Sequence, residues 1–205
     1  MSDSCCHHKT NELATLGRRQ AKVLWIALFI NLSMFFLEGF YGLVANSNSL
    51  LADSLDMLGD ALVYAISLYA IGKSQTWISG VSLIKGLIMA VFGLGVLIDA
   101  ASRFLSSTIP VAETMGVIGG IALVANISCV GLLLRHRNDN LNMRSTWECS
   151  KNDVLANIGV LLAAAAVGFT GSKYPDLVVG ITISLLVFRS SISVLTDSVK
   201  GFWGT

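Results

Sequence analysis

The sequence predicts an all-α membrane protein, a six-transmembrane-helix bundle, and three observations carry that expectation. The 205 residues are 54% hydrophobic and 13% charged, against about 25% charged residues in a soluble domain. The charges are clumped, so the uncharged stretches between them exceed the roughly 18 apolar residues of a spanning helix. Both prolines, Pro110 and Pro175, fall between apolar runs. The mean hydropathy of +0.69 agrees with the same class.

Six spans can be drawn. The first runs from Lys22 to Ala45, the second from Leu50 to Gly72, and the third from Ile78 to Leu105. The fourth covers Val111 to Leu134, the fifth Arg144 to Val167, and the sixth Leu177 to Leu195. The connections are short, so one compact bundle is expected over 21–196, with polar tails at 1–20 and 197–205. Val23 to Leu37 follows basic residues as the apolar part of a signal peptide would, but the apolar stretch runs past the usual length, so no cleavage is expected.

Basic residues near the span ends set the expected orientation. With the N-terminus in the cytoplasm, the inner segments hold Lys9, Arg18, Arg19, Lys22, Lys73, Arg135, Arg137, Arg144 and Lys200. The outer segments hold Arg103 and Lys173. Both termini are therefore expected in the cytoplasm. An integral, multi-pass location is expected, in a bacterial inner membrane.

Against this apolar background the acids stand out. Asp56 and Asp60 are four residues apart in the second span, and Cys149 and Asp153 repeat that spacing in the fifth. Residues at i and i+4 share a helix face. A desolvated acid at bilayer depth costs about 2.5–3.5 kcal/mol on insertion scales, and such acids are usually functional. Entering from outside near Leu50, the second helix places its two acids about 9 and 15 Å down its axis. Entering from inside near Arg144, the fifth places Cys149 and Asp153 about 8 and 14 Å along. Both pairs thus reach towards the midplane of a core about 30 Å thick. Four O and S ligands of this kind suit a soft or borderline divalent metal. The expected metal residues are Asp56, Asp60, Cys149 and Asp153.

Other polar residues keep two readings. Asp53 is an outer ligand or proton acceptor, or caps the second helix after the polar loop Asn46-Ser-Asn-Ser. Glu38 and Asn31 share a face of the first helix, as a proton path or as packing hydrogen bonds between helices. Asn126 and Asn157 are open in the same way. Lys85, near the inner end of the third span, is explained by snorkelling. Asp99 and Arg103 read as an exposed i, i+4 ion pair. Cys5-Cys6-His7-His8 is a cytoplasmic metal-capture run or an inert tail, since consecutive residues close a tetrahedron poorly. Gly116 and Gly120 form a G-x-x-x-G that permits close helix approach.

Several classes are excluded. A net charge of +1 points to no nucleic-acid partner, and no Gly-rich phosphate loop or Ser/His/Asp constellation supports an enzyme. The cysteines do not form a disulfide framework: Cys5 and Cys6 are adjacent, and Cys129 and Cys149 lie in or near spans.

The stretch Asn46-Ser-Asn-Ser-Leu-Leu-Ala-Asp-Ser-Leu-Asp-Met-Leu-Gly-Asp closely resembles the second-helix signature of cation diffusion facilitators. The stretch Asn142-Met-Arg-Ser-Thr-Trp-Glu-Cys-Ser-Lys-Asn-Asp-Val-Leu-Ala-Asn resembles the fifth-helix signature. Asn31, Glu38 and Pro175-Asp176 also look like family features, and the resemblance covers about 20–195. It implies proton-coupled export of divalent transition-metal ions (Zn2+ or Cd2+) by alternating access, usually as a homodimer. No cofactor is implied; the metal is cargo, and protons and the lipid bilayer are partners. In two respects the chain departs from the family. Cys149 stands where the family usually has His, and a thiolate keeps zinc while improving the match to cadmium. After Leu195 the family's usual cytoplasmic C-terminal domain is not expected, so a homodimer is expected to rest on transmembrane helices. The competing readings are a proton-coupled exporter of organic cations, which aromatic residues facing the cavity would favour, and a metal-binding accessory protein that does not transport.

Overall fold

The computed structural model describes residues 3–69, 75–136 and 141–203, with side chains described at 21–69, 79–136, 147, 150–196 and 198–199. They form six helices: α1 (Asp3–Val44), α2 (Asn48–Tyr69), α3 (Gln75–Leu105), α4 (Ala112–Leu134), α5 (Leu141–Thr170) and α6 (Tyr174–Trp203). Stretches long and apolar enough to cross a membrane lie at Ala21–Val44, Ser79–Leu105, Ala112–Leu134, Ser150–Thr170 and Tyr174–Thr196. The first, third and fourth expected spans match to within a residue, whereas the stretch for the fifth begins six residues after Arg144 and that for the sixth three residues before Leu177. Helix extends into both segments expected as tails, since α1 starts at Asp3 and α6 continues to Trp203. The second span is the exception in composition: Asp53, Asp56 and Asp60 keep α2 out of the apolar set, although its 22 residues span about 33 Å.

The bundle hides polarity and shows apolarity. On α1, Leu24, Ala27, Asn31, Met34 and Glu38 are buried at spacings of three and four, while Phe29, Phe36, Phe40 and Leu43 are exposed. That inversion suits lipid, where an outward Phe lies in hydrocarbon and an inward Asn finds a neighbouring helix. α2 sits at the centre, packed on α1, α3, α5 and α6, and more than half of it is buried. α3 pairs with α6, and α4 with α5. An acid-bearing helix is thereby kept off the lipid by its neighbours.

Short connections fix the order. α1 ends in a Schellman turn: Ser47 N–H donates to Gly42 O at 2.9 Å, Asn46 N–H to Leu43 O at 3.2 Å, and Asn46 takes φ 52°, which Asn tolerates better than most residues. Gly171, at φ 60°, closes α5 by donating to Val167 O at 2.9 Å.

Candidate functional site

The start of α2 is held from across the bundle. The buried Asp176 carboxylate, in the first turn of α6, accepts from Ser47 Oγ at 2.7 Å and Ser49 Oγ at 2.6 Å. It also accepts from the backbone N–H groups of Asn48 at 2.7 Å and Ser49 at 3.0 Å. These are the orphan donors of a helix N-terminus, satisfied by a distant side chain. Asp53 does not cap α2: the helix begins at Asn48, five residues earlier. Around this clasp, Asn48 Nδ2 donates to Val96 O at 3.2 Å and Asp99 Oδ2 at 3.3 Å. Arg103 pairs with Asp99 as expected, half-buried rather than exposed. Lys173 closes the end of α3 by donating to the carbonyls of Arg103 at 3.0 Å, Phe104 at 2.9 Å and Ser106.

The expected site acids lie deeper. Asp56 and Asp60 are about 12 and 18 Å along α2 from Asn48. Asp60 and Asp153 are buried and Asp56 is half-buried. Asp153 of α5 stands in side-chain hydrogen-bonding range of both Asp56 and Asp60, so the two helices bring the three carboxyl groups together. Among the described residues, no three His, Cys, Asp or Glu side chains close tightly enough to hold a metal ion. Cys149 occupies α5 one turn before Asp153, but its side chain lies outside the described residues. So do the side chains of Cys5, Cys6, His7 and His8, whose backbone belongs to α1.

A second layer lies nearer the start of α2. Asp53 and Glu38 are fully buried, and their carboxyl groups face each other at hydrogen-bonding range. Two carboxylates cannot bond without a proton between them. Asn157 Nδ2 donates to Asp53 Oδ1 at 3.2 Å and to Asp153 O at 3.0 Å, tying α5 to α2. Among the described residues neither Glu38 oxygen, nor Asp53 Oδ2, nor Asn157 Oδ1 has a donor. Asn31 Nδ2 donates to Ala27 O at 2.9 Å and Cys129 Sγ at 3.5 Å, which joins α1 to α4.

Three neighbours of the acids escaped the sequence reading. Tyr64 Oη donates to Asp60 Oδ2 at 2.7 Å and meets Ser150 Oγ at 2.9 Å, anchoring Asp60 to the residue after Cys149. The i, i+4 spacing of Asp60 and Tyr64 was the available signal. Cys129 of α4 is buried with Tyr64 in one cluster. Lys85 of α3 is half-buried and acts electrostatically on both Asp56 and Asp60, as the last of the influences on each. It lies six residues inside the third apolar stretch, or about 9 Å.

Comparison with known proteins follows the same residues. The sequence profile of the cation efflux transmembrane domain matches residues 24–202. The chain is 28% identical over 199 residues to a cadmium, cobalt and zinc/H(+)-K(+) antiporter of Bacillus velezensis, covering 89% of this chain and 63% of that protein. It is 28% identical over 193 residues to the zinc transporter ZitB of Escherichia coli, covering 88% and 62%. It is 25% identical over 197 residues to the metal cation efflux system protein CzcD of Cupriavidus metallidurans, covering 86% and 62%. The chain thus spans a little over three fifths of the length of these relatives.

Proposed function

This chain belongs to the cation efflux family, and from that premise we propose that it exports a divalent transition-metal ion, Zn2+ or Cd2+, in exchange for protons by alternating access. The observation that carries the reading is the meeting of Asp56, Asp60 and Asp153 inside the bundle, with Cys149 one turn from Asp153 on the same helix. Carboxylate and thiolate ligands bind metal only when deprotonated. Cargo and protons therefore compete for the same atoms, and a proton gradient can drive the metal off on one side. The termini are assigned to the cytoplasm by the basic residues at the span ends.

The relatives named for zinc, cadmium and cobalt support metal as the cargo. An organic-cation exporter finds less support, because Phe29, Phe36, Phe40, Phe104 and Phe169 are exposed on the bundle surface, and Tyr64 meets Asp60 through its hydroxyl as a hydrogen-bond donor. Assembly as a homodimer through membrane helices belongs to the same proposal. Among the described residues nothing lies within 4 Å of a Cβ built at Gly116 or Gly120, so that pair leaves a surface on which a second copy can approach closely. The deciding experiment is flux of Zn2+, Cd2+, Co2+ and Mn2+ in proteoliposomes under an imposed pH gradient. Zn2+ and Cd2+ uptake that rises with the gradient is expected. Flux indifferent to it overturns proton coupling, and binding without flux overturns transport.

A further inference from the structure

Proton exchange at the acids leaves one nearby charge without a role. Lys85 is half-buried on α3, and the contact between α3 and α2 sets where it points. A Cβ built at Gly59 would stand 2.6 Å from Met89 Cε and 3.2 Å from its Sδ, so Met89 lies directly on α2 at Gly59. Lys85 precedes Met89 by four residues and shares its face, one turn or about 6 Å along the helix. Because α3 runs antiparallel to α2, Lys85 stands one turn beyond Gly59 towards the C-terminal end of α2, level with Val63 and about one turn from Asp60. The electrostatic action of Lys85 on Asp56 and Asp60 agrees with that placement.

We propose that Lys85 is a tethered counter-ion of the cargo site: its ammonium offsets part of the carboxylate charge when no metal is bound and opposes the metal when one is. The proposal rests on reading Asp56, Asp60 and Asp153 as that site. Acids gathered inside a bundle are costly without a compensating positive charge, and a side chain that cannot leave supplies it at all times. A divalent ion brings twice the charge of the ammonium and prevails over it at the carboxylates, but binds less tightly than it would alone. A transporter gains from that limit, because a cargo held too firmly is not released. In a protein interior, a unit charge several ångströms from a divalent ion changes its affinity by at least about tenfold. Lys85 acts through charge on the ligands and is a positioning residue rather than a ligand.

The test is Zn2+ titration of the purified full chain in detergent, against a fluorescent zinc chelator at fixed pH and ionic strength, with flux in proteoliposomes alongside. Lys85→Met and Lys85→Gln should bind Zn2+ at least about tenfold more tightly than the parent while their maximal flux falls. Lys85→Arg should keep the parent's affinity within about threefold, because it keeps the charge. Damage to packing would lower affinity and flux together, so the opposite signs identify a charge effect. Lys85→Gln, which retains polarity and most of the length, serves if the Met variant does not fold. Unchanged or weaker Zn2+ affinity in the neutral variants overturns the counter-ion. Failure of the parent itself to bind Zn2+ overturns the cargo site instead.

Discussion

Two polar regions of this bundle differ in how their charges are matched. At the start of α2, one carboxylate, Asp176, meets four donors, and the surrounding Asn48, Asp99, Arg103 and Lys173 are joined by further bonds. Half a helix deeper, acids face acids. Glu38 lies against Asp53, Asp153 lies against Asp56 and Asp60, and several buried oxygens have no donor among the described residues. A buried acceptor that is paired with donors stabilises a fold, whereas one facing another acceptor costs free energy unless a cation or proton comes between them. The first region is built to hold α2 in place. The second is built to take up positive charge.

The largest expected effect separates the two regions at once. Asp60→Ala or Asp153→Ala should weaken Zn2+ binding by about a thousandfold, the scale of removing one partner from a buried charge pair. Thermal unfolding in detergent should fall less for either variant than for removal of a fully paired acid, because each loses an acid that burial disfavours, although Asp60→Ala also leaves the Tyr64 hydroxyl with Ser150 alone. Calorimetry beside a melting curve checks both halves, and a variant that binds like the parent would remove these acids from the site.

Asp176→Ala should act in the opposite sense. Two backbone N–H groups and two hydroxyls lose their acceptor, a loss of about 2–3 kcal/mol in stability, read from the unfolding midpoint. Zn2+ affinity of the folded fraction should stay within about threefold of the parent. A large loss of affinity with an unchanged midpoint would mean that the clasp belongs to the transport machinery rather than the scaffold.

A smaller effect sharpens the picture inside the charged region. Cys149→His should lower the Cd2+-to-Zn2+ flux ratio several-fold while zinc transport persists, because imidazole is a harder ligand than thiolate. Competitive flux at equal ion concentrations measures it. A ratio that does not move would leave the site to carboxylates alone.

Much of the bundle was legible along the chain. A run of some twenty apolar residues between charge clusters is a helix crossing lipid whatever lies beside it, because an unpaired backbone is too costly there. The pairing of Asp56 with Asp60, and of Asp153 with the Cys149 position, was equally legible, since i, i+4 geometry is local to one helix. Of the two readings left open for Asp53, the cap falls away, because the acceptor that α2 uses comes from α6.

What the sequence by itself determined, then, is which segments are long and apolar enough to cross a membrane, that α2 and α5 carry the acids, and how far along its helix each acid lies. Only the tertiary structure decided that Asp176 caps a helix 128 residues away, that Tyr64 joins Asp60 to Ser150, and that Asn157 reaches Asp53. The physical reason is rotational. Spacing along a helix sets which residues share a face, but the direction in which that face points depends on how six helices pack, down to single contacts such as Met89 on Gly59.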